Sequence, residues 1–300
     1  LFAMSSIKGN DYRNIWSYFI EGGPENGVNL LKYILYLNSG IRKPPAAKKI
    51  SSVGIYYPDL NEINAETLET KWRIKKRPVI AITFYSALLQ SGQTEVIDAL
   101  ITALEKDYNC IPIHSKSFKD KKNREVTRFL LKKYNPISVI NLTGFSLSGI
   151  SSSKTIFDDA RRPVFQVILS SMSEHEWQHS SKGLNNRDII MSISLPEIDG
   201  RIITKTIAFK EEISFDKITQ TKLLEYIPHD FGINYICNLV KNWSKLSVTS
   251  NEKKNIFITL ANYPNKDSRI ANGVGLDTPS SIVHLIKKLK KLNYKILNFP

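Results

Sequence analysis

The feature that most constrains the fold is an alternation of short apolar runs with amphipathic stretches in the middle of the chain. Apolar runs rich in Val and Ile occupy residues 79–85, 110–114, 137–142 and 164–169. The stretches between the first three runs, 94–106 and 124–134, carry apolar residues at helical spacing. Strands that alternate with helices are typical of parallel crossover units, in which right-handed connections place helices on both faces of a sheet. The pattern therefore predicts an α/β fold with open, mostly parallel sheets and flanking helices.

The regions on either side of this alternation predict further elements. Residues 10–40 have helical spacing that is interrupted at Gly22-Gly23-Pro24. Residues 189–195 and 201–209 are predicted to be a strand pair joined by a turn at 196–200. The remaining predicted elements are helices at 230–246 and 279–292, with Thr278 as N-cap of the second, and strands at 255–261 and 294–299.

These elements divide the chain into three predicted parts. Residues 1–76 are the mainly helical end of an N-terminal region, and 77–248 are an α/β open-sheet domain. Residues 249–300 are the start of a following, truncated α/β domain. The chain does not begin with Met and stops just after a strand-like run, so we expect it to be an internal, multi-domain fragment of a longer protein.

Composition limits the class of function. No run approaches the roughly 20 apolar residues of a membrane helix, so no membrane span is predicted. The net charge of +14 would suit a nucleic-acid surface or a polyanionic small molecule. Because Lys is spread along the whole chain without interleaved aromatic residues, a compositional bias is the preferred interpretation, and no nucleic-acid partner is predicted. Cys110 and Cys237 form no C-x-x-C pair, which indicates a reducing, cytoplasmic compartment.

The segment from His175 to His179 matches H-E-x-x-H, the signature of zinc peptidases. In such enzymes both His lie on one face of a stable helix, and the Glu activates the bound water. Here Gly183 follows soon after the second His, and Lys182 stands where the extended signature requires Gly. We therefore disfavour His175, Glu176 and His179 as a metal site and predict a short polar helix whose capping box is formed by Ser173 and Glu176.

Two glycine-containing segments resemble phosphate loops only in part. Residues 144–151 have the spacing of a Walker loop, but Ile150 stands where Lys must reach the phosphates. Gly273-Val274-Gly275 precedes a predicted helix, but Thr278 stands where the dinucleotide motif requires its third Gly. The sequence therefore predicts no ATP hydrolysis by this chain alone.

The polar stretch from Leu260 to Ser280 is the most informative segment. It follows a predicted strand and ends at a predicted helix, the position where ligands bind in open α/β sheets. Loops of this length without a function are uncommon, so a ligand-binding or partner-binding role is favoured. Its hydrogen-bonding side chains are Asn262, Tyr263, Asn265, Asp267, Arg269, Asn272 and Asp277.

This stretch, L-A-N-Y-P-N-K-D-S-R-I-A-N-G-V-G-L-D-T-P over 260–279, resembles a signature of the large subunit of aerobic cobaltochelatase (CobN type), which is related to the porphyrin-binding H subunit of magnesium chelatase. Further blocks agree in order along nearly the whole chain. They are G-G-P-E-N at 22–26, F-Y-S-A-L-L-Q at 84–90, N-L-T-G-F at 141–145, G-L-N-N-R-D at 183–188 and L-P-E-I-D-G-R at 195–201.

The resemblance implies a corrin-binding subunit of an ATP-dependent cobaltochelatase that inserts Co²⁺ into hydrogenobyrinic acid a,c-diamide during cobalamin synthesis. It also implies AAA+ ATPase partner subunits that carry ATP and Mg²⁺, with Co²⁺ and the tetrapyrrole as substrates. The His-rich H-G-x-H-G motif of the family, its best metal-site candidate, is absent from this chain. We therefore expect the catalytic residues to lie beyond Pro300 and assign none here.

Two loops are candidates for a tetrapyrrole cleft or its hinge. The candidate residues are Glu25, Asn26, Asn262, Tyr263, Asp267, Asn272 and Asp277. Turn and cap chemistry is an equally good interpretation of both loops. Two alternative functions stay open, namely a porphyrin-binding subunit of the magnesium-chelatase type and a non-enzymatic α/β module that binds a small ligand.

Overall fold

The computed structural model describes residues 2–148, 154–158, 162–261, 271, 273 and 275–297. The chain divides into two compact units, Leu1–Asn238 and Leu239–Pro300. Among the described residues, no helix combines the length and the apolar character that crossing a membrane requires.

The first unit contains most of the regular structure. Its strands are β1 (Val53–Tyr57), β2 (Asn61–Ile63), β3 (Val79–Tyr85), β4 (Asn109–Ser115), β5 (Ser138–Asn141), β6 (Val164–Ser170), β7 (Ile202–Asp216) and β8 (Thr221–Pro228). Its helices are α1 (Gly9–Glu21), α2 (Pro24–Ser39), α3 (Ala65–Lys71), α4 (Ala87–Gln90), α5 (Glu95–Leu104), α6 (Lys121–Tyr134), α7 (Glu174–His179), α8 (Asn186–Ile189) and α9 (Leu195–Ile198). Helix α10 (Asp230–Val248) begins in this unit and continues into the second.

The strands of the described chain form one sheet of eight, in the order β2-β1-β4-β3-β5-β6-β7-β8. The central pairs, from β4–β3 to β6–β7, are parallel. The pairs at both edges are antiparallel. The predicted α/β class with a mostly parallel sheet and flanking helices is therefore confirmed. Strand β4 lies on one side of β3 and strand β5 on the other, so the order of the strands reverses at β3. The carboxyl ends of β3 and β5 therefore form a topological switch point.

Burial explains why the central strands read as continuous apolar runs. Ile80, Ile82 and Phe84 of β3 are each 0% exposed. Strands that have helices on both faces bury both rows of side chains, so no apolar-polar alternation is expected. Helix α5 contributes a buried stripe made of Val96, Ile97, Leu100, Ile101 and Leu104. This stripe lies within the helix predicted at 94–106.

The predicted strand at 189–195 is wrong. Residues 186–198 are helical instead, as α8, a π-helical turn at Ile190–Ser194 and α9. The side chain of Asn185 caps α8 by accepting from the backbone N–H of Asp188. Strand β7 consequently pairs in parallel with β6, and its antiparallel partner is β8. A short Ile- and Ser-rich run suits either element, and here the cap and the buried Asp188 decide for helix.

Strands β1 and β2 lie within 1–76 and extend the same sheet beyond β4. That part of the chain therefore combines helices with two sheet strands. The predicted domain boundaries at 76/77 and 248/249 stay a prediction.

The second unit contains the end of α10 and helix α11 (Thr278–Lys291). The predicted strand at 255–261 is wrong, because these residues have no regular structure. Residues 294–297 likewise form no strand, and the rest of that prediction lies outside the described residues. A β-rich run becomes a strand only where a partner strand satisfies its backbone, and among the described residues neither run has one.

Candidate functional site

A buried ion pair lies just before β7 and is hydrogen-bonded to the loop after β5. Arg201 donates to the Asp199 carboxylate at 2.7 Å, and both side chains are 1% exposed. Asp199 also accepts from the hydroxyl of Ser146 and from the backbone N–H groups of Leu147 and Ser148. Burial raises the pKa of Asp199, but the hydrogen bonds from residues 146–148 outweigh it, so the net pKa lies below its usual value. The carboxylate is therefore ionised and holds the loop in place.

The same guanidinium extends into a polar network between β5 and β6. Arg201 donates to the side-chain oxygen of Gln166 at 2.9 Å and to the carbonyl oxygen of Thr143 at 3.2 Å. The Gln166 oxygen also accepts from the carboxamide of Asn141 at 2.7 Å. Asn141 in turn accepts from the hydroxyls of Thr83 and Thr143. Four segments of the chain are thus fixed against one another at the end of β5.

A polar cavity of about 280 Å³ lies beside this network. Asp199 and Arg201 line one part of it, and Thr155, Asp158 and Arg162 line another. Its two acidic and two basic residues balance, so the cavity presents no net charge to a ligand. The Nε of Arg201 is buried and makes no hydrogen bond to any described group.

A second buried carboxylate anchors the G-L-N-N-R-D block to the end of β6. Asp188 accepts from the hydroxyls of Ser170 and Ser171, each at 2.8 Å, and from the backbone N–H of Ser171 at 2.8 Å. Asn185 adds a donor to the same side chain of Asp188 at 3.4 Å. The block therefore has a structural role in attaching α8 to the carboxyl edge of the sheet.

The G-G-P-E-N block forms the turn between α1 and α2. The carboxamide of Asn26 donates to the carbonyl oxygens of Gly22 and Lys48, and its oxygen accepts from the backbone N–H of Lys48. Asn26 is 3% exposed, so the structure uses its side chain to bind two segments of the chain together. Glu25 is exposed and lies 3.4 Å from the ammonium group of Lys48.

This turn packs against the segment after β3. The backbone N–H of Gly23 donates to the carbonyl oxygen of Gln90 at 2.7 Å. A Cβ on Gly22 would lie 2.8 Å from that same oxygen, and Gly22 has φ +62°, so glycine is required. The adjoining cavity, lined by residues 22–26 among others, has a volume of about 60 Å³. Small-molecule sites occupy about 300–1,000 Å³, so this cavity by itself cannot enclose a macrocycle.

A fully buried histidine lies at the carboxyl end of β4. His114 Nδ1 is 2.9 Å from the hydroxyl of Ser86, and Nε2 is 4.0 Å from a carboxylate oxygen of Glu62. Burial lowers the pKa of His114 to about 4, although Glu62 opposes the shift, and Lys116 lowers it further. The imidazole is therefore neutral. Gly54 makes room for the pair, because a Cβ there would lie 2.7 Å from Nε2.

The H-E-x-x-H segment forms α7, and the predicted capping box is confirmed. Ser173 accepts from the backbone N–H of Glu176, and the Glu176 carboxylate accepts from the backbone N–H of Ser173. The rings of His175 and His179 stack with centroids 4.2 Å apart. The Glu176 carboxylate is thus engaged in a hydrogen bond at the N-terminus of α7. Across the part of the chain that the structure describes, no three His, Cys, Asp or Glu side chains form a group able to hold a metal ion.

The polar stretch at 260–280 is described only in part. Asn262, Tyr263, Asp267 and Asn272 lie outside the described residues. Asp277 is the N-cap of α11 and accepts from the backbone N–H of Ser280 at 3.0 Å. The predicted N-cap, Thr278, is therefore wrong by one residue, because the carboxylate of Asp277 reaches the free N–H groups first.

The residues that the structure brings together differ from the predicted set. Asn141, Gln166, Asp199 and Arg201 form the network, yet none was a candidate. Three of them lie in the blocks N-L-T-G-F and L-P-E-I-D-G-R, and the order of these blocks was the available signal. Which of their side chains would be buried depends on contacts between residues far apart in sequence.

Fold and site together define a class of protein. A doubly wound sheet, with polar loops at the carboxyl ends of its parallel strands, is the arrangement in which open α/β proteins bind ligands. The family model described as CobN/Magnesium Chelatase matches residues 16–300. The chain therefore belongs to the CobN/magnesium chelatase family.

Individual relatives agree with this assignment. The chain is 33% identical to the aerobic cobaltochelatase subunit CobN of Sinorhizobium sp. over 99% of its length, which is 24% of that relative. It is 24% identical to the magnesium-chelatase H subunit of Chlorobaculum parvum over 98% of its length. A solved structure, the catalytic subunit of cobaltochelatase from Mycobacterium tuberculosis, shares the fold with a TM-score of 0.75 at 21% identity, over 99% of this chain and 24% of that one. The chain thus spans about a quarter of the length of the relatives it matches.

Proposed function

We propose that this chain works as part of the tetrapyrrole-binding large subunit of an aerobic cobaltochelatase. The observation that carries the proposal is the 33% identity to a CobN subunit over 99% of the chain. The identity to a magnesium-chelatase H subunit is lower, at 24% over a similar length. On this proposal the reaction inserts Co²⁺ into hydrogenobyrinic acid a,c-diamide in cobalamin synthesis, with Co²⁺ and the macrocycle as substrates.

The chemistry of insertion sets what the protein must supply. The metal ion must lose its bound water while two ring nitrogens lose their protons, so transient ligands and a general base are needed. Within the chain the charged side chains of the Asp199–Arg201 network are already paired to one another. We therefore assign this network to positioning the loop after β5, and we assign no catalytic residue to this chain.

We further propose that AAA+ partner subunits bind ATP and Mg²⁺ and drive the reaction. Support comes from the sequence, in which Ile150 replaces the lysine that a Walker loop requires. We also propose a cytoplasmic location, which the two free cysteines, Cys110 and Cys237, support because a reducing compartment leaves thiols unpaired.

Titration of the full chain with two macrocycles tests the proposal against its alternatives. We expect hydrogenobyrinic acid a,c-diamide to change its absorbance on binding and to bind at least about ten-fold more tightly than protoporphyrin IX, a difference of about 1.4 kcal/mol. Preference for the porphyrin would favour a magnesium-chelatase-type subunit. Failure to bind either macrocycle would favour the non-enzymatic small-ligand module.

The contribution of the 260–280 stretch to macrocycle binding can be separated from its capping role. Asp277→Ser retains an oxygen that can cap α11, whereas Asp277→Ala removes it. If Asp277 and Asn262 contact the macrocycle, Asp277→Ser and Asn262→Ala should both weaken corrin binding while the circular-dichroism spectrum is unchanged. Unaltered affinity in both folded variants would remove these residues from the site.

A further inference from the structure

A larger cavity lies against α2 in the first unit. Its volume is about 620 Å³, which is within the range of about 300–1,000 Å³ that small-molecule sites occupy. Asn29, Lys32 and Leu35 line it from the helix, and residues 41–45 line it from the segment that follows the helix. We call this cavity the α2 groove.

The charges of the α2 groove are all positive. Lys32, Arg42 and Lys43 line it, and no acidic residue does among the described lining. Lys43 Nζ is 5.7 Å from the ring centroid of Tyr33 and 6.0 Å from that of Tyr36, so the aromatic rings hold this ammonium group in place. Within the described chain none of the three cations pairs with a carboxylate. A concave surface with uncompensated positive charge is the electrostatic complement of an anion.

Asn29 adds a polar group to the lining of the groove. The residue is 8% exposed and lines the cavity. Its carboxamide has no hydrogen-bond partner among the described residues, in contrast to the nearby Asn26, whose carboxamide has three. Among the described residues, Asn29 is not one of the enclosed polar groups that lack a partner, so its carboxamide reaches solvent in the groove and offers a donor and an acceptor to a bound molecule.

The walls of the groove decide which kind of anion fits. Leu35, Ile41, Pro44 and Pro45 give it apolar surface. Phosphate sites commonly use backbone N–H groups at a helix N-terminus, whereas this groove follows the side of α2 and includes two prolines, which have no N–H. The planar fork of Arg42 matches a carboxylate in a bidentate manner. An apolar body with carboxylate arms is therefore the best complement.

We propose that the α2 groove binds the carboxylate arms of an amphipathic ligand. This inference rests on the proposed function, on which the arms are those at the rim of the tetrapyrrole. Lys32 and Arg42 bind the carboxylates, Asn29 bonds to an adjacent amide or carboxylate, and the apolar wall contacts the edge of the ring.

The test compares two matched double variants of the full chain. Lys32→Gln with Arg42→Gln removes two charges from the groove. Lys121→Gln with Lys122→Gln removes two charges from exposed positions at the start of α6 and serves as the control. Thermal unfolding by circular dichroism establishes that both are folded. We expect the groove variant to bind hydrogenobyrinic acid a,c-diamide about ten-fold or more weakly than wild type, and the control to bind like wild type. A corrin with every carboxylate amidated should bind wild type and groove variant equally.

The outcomes separate this inference from the proposed function. Corrin affinity that is equal in wild type and groove variant overturns the groove and leaves the proposed function standing. Binding of protoporphyrin IX alone, with the same dependence on Lys32 and Arg42, supports the groove and overturns the cobalt assignment. Failure of wild type to bind either macrocycle overturns both. Asn29→Asp provides an independent test, because a carboxylate in the groove lining should repel the ligand and weaken corrin binding relative to wild type, and unchanged affinity would count against the groove.

Discussion

Single polar side chains hold the loops around the carboxyl edge of the sheet. Asp188, Asp199 and Asn26 each link their own segment of the chain to one other segment, and each lies in a block that the family resemblance picked out. The fold requires each of these side chains, because removing one leaves its buried hydrogen-bonding partners unsatisfied. At this scale, loop geometry depends on a few residues far more than on the rest of the loop sequence.

Asp199→Ala should destabilise the protein strongly. The substitution leaves the Arg201 guanidinium buried without its counter-ion, and breaking a buried pair in this way costs about 3–5 kcal/mol. Urea unfolding monitored by circular dichroism measures the change. Glu125→Ala on the exposed side of α6 is the control, and it should change the free energy of unfolding by less than about 0.5 kcal/mol. Equal effects of the two substitutions would contradict the structural role of the pair.

His114 should make the stability depend on pH in a definite direction. Its pKa is about 4 in the folded chain and about 6.5 when unfolded, so the unfolded state takes up the proton first as the pH falls. Stability is therefore complete above pH 6.5 and declines between pH 6.5 and 4, by up to about 3 kcal/mol. Subtracting the unfolding free energies of His114→Gln from those of wild type across this range isolates the effect. A difference that does not vary with pH would show that His114 is not the responsible group.

At the scale of elements, local signals and tertiary contacts agree for several helices and disagree over residues 186–198. Helices α5, α6 and α10 coincide with predicted helices, and α7 begins with the predicted capping box. Residues 189–195 were predicted as a strand and 196–200 as a turn, but residues 186–198 fold as helix, because Asn185 caps the segment and Asp188 anchors it to β6. Contacts to the sheet therefore override an ambiguous apolar run.

Two glycines in helices should respond oppositely to alanine. A Cβ at Gly232 in α10 would lie 2.0 Å from the carbonyl oxygen of Thr206, so Gly232→Ala must displace β7 or the helix and should cost about 3 kcal/mol or more. Gly27 in α2 has nothing within 4 Å of the corresponding position, so Gly27→Ala should stabilise by about 0.5–1 kcal/mol through helix propensity. Melting temperatures of the two variants test this, and a similar shift in both would refute the close packing of α10 on β7.

At the scale of the whole molecule, the net charge of +14 is the dominant property. The excess of Lys and Arg is spread along the chain, and the α2 groove concentrates only three of these charges. Such a protein attracts polyanions in general, and selectivity must come from shaped sites. The charge therefore increases the local concentration of an anionic substrate without choosing it.

Binding to DNA should accordingly be weak and independent of sequence. We expect a 20-base-pair duplex to bind with a dissociation constant above about 10⁻⁶ M at physiological salt and to lose affinity steeply as salt rises. Fluorescence anisotropy with two duplexes of unrelated sequence measures both properties. Tight binding at high salt, or a preference of more than about ten-fold for one duplex, would mean that the chain has a nucleic-acid site after all.

The fold class was predictable because it depends on local periodicity. Side-chain spacing distinguishes a buried strand from an amphipathic helix within a few residues, so β3 to β6 and helices α5 and α6 could be located from residues 77–169 alone. The choice of pairing partner for each strand was not predictable in this way. Strand β7 pairs with β6 and β8, and the runs at 255–261 and 294–297 find no partner among the described residues, although all three have similar composition.

The amino-acid sequence alone was sufficient to predict the α/β architecture, to indicate the family and to locate the sequence blocks that carry the family resemblance. Tertiary structure was needed to show that Asn26 and Asp188 form hydrogen bonds to other segments of the chain, that Asp199 and Arg201 form a buried pair, and that the cations of the α2 groove have no counter-ions among the described residues. The physical reason is the distance along the chain over which each interaction acts. Periodicity and capping act over one or two turns of chain, whereas burial, charge pairing and cavity shape depend on groups that only folding brings within a few ångströms of each other.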